Sequence, residues 1–126
     1  MRNQEGFSLL EVIISLALIG IVVTGILSAL ATSSRATITN DMQTTAQNLA
    51  EGQMEYVRSQ QYDGTNNPPQ YQVLADVPAS YSVSCTAVRL DPDGDGSDDD
   101  DGLQKITVTV AFNGTTTTAI EAYRVK

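Results

Sequence analysis

The pattern of hydrophobic and polar residues divides the chain into three parts. The first is apolar, the second repeats apolar residues every three or four positions as a helix does, and the third alternates apolar and polar residues as strands do. Apolar residues dominate positions 7–31, and positions 12–31 contain no charged residue. An α-helix of twenty residues is about 30 Å long, roughly the thickness of the hydrocarbon core of a bilayer. The first stretch therefore predicts a helix that is long and apolar enough to span a membrane.

Positions 32–62 are more polar, but they keep the period of a helix. Apolar or partly apolar side chains recur there at steps of three or four residues: Ile38, Met42, Thr45, Leu49 and Tyr56. A second set widens this stripe: Ala46, Ala50, Met54 and Val57. Gly52 and Gln53 interrupt the stripe. Such a stripe favours packing of the helix against a sheet, and the Gly, Asn and Pro residues at positions 62–69 predict its end.

The remaining residues, 63–126, are predicted to form a small head of antiparallel strands. The strand-like runs span residues 70–75, 81–90, 103–112 and 116–125. In the third run one face carries Ile106, Val108, Val110 and Phe112, and the other carries Lys105, Thr107 and Thr109. Asn113-Gly114 is a strong hairpin signal. The expected fold class is α+β, with a long N-terminal hydrophobic helix packed on a small antiparallel β-sheet head.

Charge and composition narrow the possible chemistry. The net charge is −8, but seven Asp residues lie between Asp91 and Asp101, so the acidity belongs to one loop. The basic residues are scattered, and no patch suited to nucleic acid is evident. The chain has no His and a single Cys, Cys85, which we expect to be a buried free thiol. Because no nucleophile and base can be paired, an enzyme is not expected.

The acidic loop at positions 91–102 matches a calcium-binding pattern. Oxygen ligands fall at loop positions 1, 3 and 5, and Gly96 at position 6 permits a sharp turn. Gly102 stands where a Glu usually completes the shell, so Asp99, Asp100 or Asp101 would have to do so. The candidate ligands are Asp91, Asp93, Asp95, Ser97 through its backbone carbonyl, Asp99 and Asp101. The alternative interpretation is a solvated acidic turn without an ion.

The first eleven residues hold the most specific motif. Gly6-Phe7 is followed by Ser8-Leu9-Leu10-Glu11 at the head of the apolar run. A carboxylate there costs about 3 kcal/mol or less on insertion scales, so it is usually functional. In these residues the chain resembles the type IV pilin-like proteins, which include type IV pilins and the pseudopilins of type II secretion. The resemblance implies cleavage after Gly6 by a prepilin peptidase, N-methylation of Phe7, and pairing of Glu11 with the Phe7 amine of a neighbouring subunit.

The resemblance also implies an organisation and a function. Residues 1–6 would be the leader, 7–31 the transmembrane and filament-core helix, 32–62 its amphipathic continuation and 63–126 the head. The protein would be a structural subunit, and its residues 48–58 resemble those of minor subunits. It would cross the cytoplasmic membrane once and then enter a filament at the cell surface or in the envelope. Its partners would be other subunits, the peptidase, membrane lipid and assembly platform proteins.

Other interpretations of the N-terminus remain open. Ala29-Leu30-Ala31 offers a cleavage site for an ordinary secretory signal, and a plain membrane anchor would also be apolar. Neither explains Glu11 or the Gly6-Phe7 junction. The functional alternative is a membrane-anchored, calcium-dependent adhesion or binding module that does not polymerise. It predicts an uncleaved N-terminus and no requirement for Glu11.

Overall fold

One helix and three strands make up the fold, confirming the predicted α+β class. The computed structural model describes residues 8–94, 96 and 99–126. Helix α1 spans Leu9–Ser59, and it is followed by β1 (Tyr81–Arg89), β2 (Leu103–Phe112) and β3 (Thr115–Val125). The chain divides into two compact units, and the boundary lies within α1 between Thr39 and Asn40.

The first unit contains the apolar part of α1, and its apolar side chains are not buried. Exposed fractions are 79% for Leu9 and 59% for Leu30, and the large aliphatic side chains between them are also exposed. By length and composition, α1 is the helix in the described part of the chain that could cross a membrane. Apolar area in water is unfavourable by about 25 cal/mol per Å², so this surface requires lipid or another protein chain to cover it.

Hydroxyl side chains in the apolar part of α1 find partners inside the helix. Ser15 Oγ donates to the Glu11 carbonyl at 2.8 Å, and Thr24 Oγ1 donates to the Gly20 carbonyl at 2.8 Å. These bonds to the carbonyl four residues earlier satisfy the hydroxyl donors without water. The two polar side chains are therefore compatible with a lipid surrounding.

The second unit has a small core between α1 and the sheet. Its buried apolar residues are Ala46, Ala50, Met54, Val57, Ala87, Ile106, Val108 and Val110. The predicted alternation in β2 is confirmed, because Ile106, Val108 and Val110 are buried while the intervening residues are half-exposed. The second set of stripe residues is buried and forms the centre of the helix face that contacts the sheet: Ala46, Ala50, Met54 and Val57. The inclusion of Ile38 in this stripe is wrong, since its side chain is 60% exposed.

Gln53 is the most consequential departure from the predicted stripe. The sequence pattern made it an interruption, but its side chain is fully buried. Its Nε2 donates to the Gln72 carbonyl at 2.9 Å, and its Oε1 accepts from the Leu74 amide at 2.8 Å. Gln60 repeats the arrangement, because its Nε2 donates to the Gln72 carbonyl and its Oε1 accepts from the Gln72 amide.

These bonds explain why the strand predicted at residues 70–75 is wrong. The segment offers its backbone groups to a partner, but that partner is a pair of side-chain amides, from Gln53 on α1 and from Gln60 just after it. A carboxamide presents one acceptor and two donors, so it can satisfy a peptide unit as a neighbouring strand would. The sheet therefore has three strands among the described residues.

The sheet is antiparallel with the order β1-β2-β3. Asn113 and Gly114 join β2 to β3 and have φ angles of 48° and 81°. Positive φ at both central residues is the signature of a type I′ turn, which matches the twist of a hairpin. The predicted hairpin is confirmed, and β3 begins one residue earlier than expected.

The helix ends immediately before the predicted breaker segment. The Arg124 guanidinium donates to the carbonyls of Val57 and Gln60 at the C-terminal end of α1. It also lies 5.1 Å from the ring centroid of Tyr71. A cation at this position satisfies terminal carbonyls and complements the helix dipole. The last strand thus fixes the end of the helix within the second unit.

We expect Gln53→Ala to destabilise the head by about 2–3 kcal/mol, because it leaves the Leu74 amide without its buried acceptor. Urea unfolding of the detergent-solubilised chain, followed by circular dichroism, measures this loss. Gln47→Ala is the matched control, since Gln47 is exposed on the same helix. Equal stability of the two variants would contradict the bridging role of Gln53.

Candidate functional site

Glu11 lies in the first turn of α1 and is exposed. Its amide donates to the Ser8 carbonyl at 2.9 Å, and its own carbonyl accepts from Ser15. The amide groups of a first helical turn form the positive end of the helix dipole, which favours a carboxylate there. Gly6 and Phe7, the predicted cleavage and methylation sites, lie outside the described residues and stay predictions.

The acidic loop brings three carboxylates together. One oxygen from each of Asp91, Asp93 and Asp101 lies within 4.8 Å of the other two, and all three residues are exposed. Asp91 and Asp93 follow β1 closely and Asp101 precedes β2, so the pairing of these two strands returns the chain to the same point. Calcium binds oxygen ligands at about 2.3–2.6 Å, so two ligands of one ion can be up to about 5 Å apart.

Asp91 also organises the backbone of the loop. Its Oδ1 accepts from the Gly94 amide at 2.6 Å, and its Oδ2 accepts from the Gly96 amide at 3.0 Å. The φ angles of Gly94 and Gly96 are 80° and 125°, which side chains rarely tolerate. The sharp turn predicted at Gly96 is present, and glycine is the residue that its geometry favours.

The remaining candidate ligands are placed differently. The Asp99 carboxylate accepts from the Asp100 amide at 2.8 Å and is not part of the group of three. Asp95 and Ser97 lie outside the described residues. Of the residues considered for closing the shell, the structure therefore brings Asp101 to Asp91 and Asp93, while the full ligand set stays a prediction.

Asp100 connects the acidic loop to the segment that follows α1. Its Oδ1 accepts from the Tyr62 hydroxyl at 2.6 Å, and its side chain is only 10% exposed. The bond from Tyr62 lowers the pKa of Asp100 despite burial, and Lys126 at 3.6 Å contributes to this lowering. Burial, followed by the bond to Asp100, raises the pKa of Tyr62 to about 12. The pair is therefore a carboxylate and a neutral phenol at neutral pH.

Two inward-facing polar side chains hold the segment that follows α1. Gln104 is fully buried, accepts from the Tyr71 hydroxyl at 2.6 Å and donates to the Asp63 carbonyl at 2.7 Å. Arg89 donates to the Gly64 carbonyl at 2.8 Å. The sequence analysis missed both residues, although the two-residue period places them on the buried face with Ala87 and Ile106. The two-residue alternation of the strands was therefore the sequence feature that could have identified them as inward-facing.

Asp63 fixes the loop itself. Its carboxylate accepts from the amides of Thr65, Asn66 and Gln70, at 3.0, 3.1 and 2.9 Å. The bond from Gln70, followed by those from Asn66, holds the pKa of Asp63 well below its usual range. The charged carboxylate is thus a structural part of the connection between α1 and the sheet.

Cys85 offers no sign of nucleophilic chemistry. It lies on β1, is half-buried and packs against the core. Burial raises the pKa of its thiol, so the thiol form prevails at neutral pH, whereas nucleophilic attack needs the thiolate. The sequence predicts a buried free thiol, and the structure shows a free cysteine that is half-buried.

The N-terminus of the chain matches a known protein-family motif. The prokaryotic N-terminal methylation motif matches residues 1–27, a segment that contains the Gly6-Phe7 junction, Glu11 and much of the apolar run. Comparisons with curated proteins and with solved structures give no match. The match therefore identifies the kind of N-terminus and leaves the head to be interpreted from its own residues.

Proposed function

We propose that this chain, whose N-terminus carries the type IV pilin signature, is a structural subunit of a type IV pilus-like or pseudopilus filament, and a minor subunit in particular. The observation that carries the proposal is the coincidence of the methylation motif with an apolar helix surface that its own chain leaves uncovered. Prepilin peptidase cleaves after Gly6, and the amine freed at Phe7 is then methylated.

The apolar part of α1 serves two surroundings in turn. Before assembly it crosses the cytoplasmic membrane once, and lipid covers its side chains. In the filament the helices of other subunits replace that lipid, so the apolar surface remains out of water in both states. Assembly platform proteins move the subunit from the membrane to a filament at the cell surface or in the envelope.

Glu11 sets the position of each incoming subunit. An isolated carboxylate or amine is poorly solvated in lipid, so pairing Glu11 with the Phe7 amine of a neighbour removes two unfavourable charges together. Only one axial position of the incoming helix allows this pairing. The charge pair therefore selects the register, while the apolar contacts supply non-directional attraction.

Gly20 and Gly25 support close packing between helices. A Cβ atom at either position would meet no atom of this chain within 4 Å. The fold of the single chain therefore does not require glycine at these positions. Small residues on an apolar helix allow the backbone of a neighbouring helix to approach closely, as the proposed filament core needs.

The acidic loop is proposed to bind calcium through Asp91, Asp93 and Asp101, with Asp95 and Ser97 as further predicted ligands. The loop carries seven Asp residues between positions 91 and 101, and their mutual repulsion opposes its closure when no cation is bound. A calcium ion relieves this repulsion and ties the end of β1 to the start of β2. Affinity of about 0.1–1 mM suffices outside the cell.

A membrane-anchored, calcium-dependent binding module is the second candidate. The observation that favours it is a set of exposed apolar side chains on the outer sheet face, at 52% for Val88, 67% for Tyr123 and 73% for Val125. Val88 and Tyr123 both flank Lys105 in the strand register. Exposed apolar patches commonly mark contact surfaces. This candidate does not require Glu11.

Glu11→Ala is expected to block assembly and to leave membrane insertion intact, because it removes the register-setting charge but none of the apolar surface. Sheared surface filaments should contain the variant at a level lower by about tenfold or more. Quantitative immunoblotting of filament and membrane fractions measures both effects. Asp41→Ala is the control, since Asp41 is another exposed acid on α1. Normal incorporation of Glu11→Ala into filaments would contradict the register-setting role of Glu11.

Calcium at ten times its dissociation constant is expected to stabilise the head by about 1.4 kcal/mol, which is about 5–10 °C in melting temperature. Asp91→Asn should remove most of this shift, because one ligand loses its charge. Thermal unfolding in calcium and in chelator measures the difference. Asp76→Asn, at an exposed acid outside the group of three, should keep the full shift. An unmodified chain without any shift would exclude the calcium site.

A further inference from the structure

Arg35 and Ile38 lie one helical turn apart and share a face of α1. Within the described residues, Arg35 is the basic residue whose side chain makes no ion pair or hydrogen bond. The other basic side chains there have partners: Arg58 with Glu55, Arg89 with loop carbonyls, Lys105 with Glu121, Arg124 with the end of α1 and Lys126 with Asp100. Ile38 is 60% exposed, so a charged and an apolar side chain both stand uncovered at this turn.

The second unit contains a groove that offers the complementary groups. It lies between α1 and β3 and has a volume of about 620 Å³. Ile120 and Ala122 contribute half-buried apolar surface to it, the buried Met54 lies beneath them, and Glu51 lies among its lining residues. A Cβ atom added at Gly52 would meet only the Leu74 side chain, at 3.9 Å. The glycine therefore leaves room above the helix at this point.

Glu51 is the acidic residue of the groove whose carboxylate has no ion-pair partner among the described residues. Glu55 is paired with Arg58 at 3.7 Å, and Glu121 is paired with Lys105 at 3.2 Å. Among the groups that the structure describes, none pairs with the Glu51 carboxylate, and Glu51 is exposed. The groove thus combines an apolar surface with an uncompensated negative charge.

We propose that Arg35 and Ile38 of one copy of this chain dock into the groove of a second copy, with Arg35 facing Glu51 and Ile38 covering Ile120 and Ala122. The contact joins two different surfaces of the same chain, so it is heterologous. Repetition of a heterologous contact that does not close into a ring produces an open helical filament. This inference rests on the proposed filament function and names one contact that would hold its subunits.

Charge exchange tests the contact in the full-length chain expressed with its assembly machinery. Arg35→Glu and Glu51→Arg should each lower filament yield by about tenfold, and the double variant should recover to within about threefold of the unmodified chain. Arg35→Glu combined with Glu55→Arg is the matched control and should not recover, because the proposed contact places residue 35 opposite residue 51 and not opposite residue 55. Failure of the Arg35→Glu, Glu51→Arg double variant to recover would overturn the proposal.

Cross-linking supplies a readout that does not depend on yield. With Cys85→Ser as background, filaments carrying both Ile38→Cys and Gly52→Cys should form a ladder of disulfide-linked oligomers on mild oxidation. Each single cysteine should give no ladder. Filaments that contain both cysteines but give no ladder would overturn the proposal, even where the charge variants lower yield.

The remaining outcomes separate this contact from other roles. Arg35 follows the apolar run closely, so a lipid phosphate is the competing partner. Arg35→Glu could lower the amount of protein inserted in the membrane. If adding Glu51→Arg does not restore that amount, Arg35 binds lipid phosphate and the proposed contact is overturned. Absence of filaments from the unmodified chain would refute the filament function and this inference together. Normal filaments from Arg35→Glu would refute the inference alone.

Discussion

The apolar surface of the first unit of α1, which this chain does not bury, is the feature on which the proposed function depends. Its leucine, isoleucine and valine side chains are exposed from Leu9 to Leu30, and the hydroxyl groups among them are satisfied within the helix. Such a surface is unfavourable in water, and two coverings remove it from water: lipid, and the helices of other subunits. The proposed sequence of membrane insertion followed by filament assembly uses both in turn.

The head depends on polar side chains as much as on its small apolar core. Gln53 and Gln60 bind the backbone of residues 72–74, and Gln104 binds the segment after α1. The chain has a single cysteine, so no disulfide within it can hold these connections. The bond from Tyr62 to Asp100 then joins the acidic loop to the segment that follows the helix. Calcium binding beside Asp100 would therefore stabilise a network that is already hydrogen-bonded.

The sequence predicted the features that follow from periodicity, and it missed those that follow from individual polar contacts. The apolar run, the alternation in β2 and the Asn113-Gly114 turn each depend on local spacing. Gln53 interrupts the predicted stripe because its side chain is polar, whereas in the structure its carboxamide is buried and replaces a strand as partner for the backbone. Likewise, the loop spacing indicated Asp91 and Asp93, but the third carboxylate depends on the pairing of β1 with β2, in which Arg89 lies opposite Gln104.

The most direct test of the filament account is the intact mass, with N-terminal fragmentation, of the protein recovered from its native cell envelope. The account predicts a chain that begins at Phe7 and carries one additional methyl group on its terminal amine. A chain that retains Met1 would indicate a simple anchor, and one that begins at Thr32 would indicate a secreted head. Either of these results would contradict the proposed filament subunit.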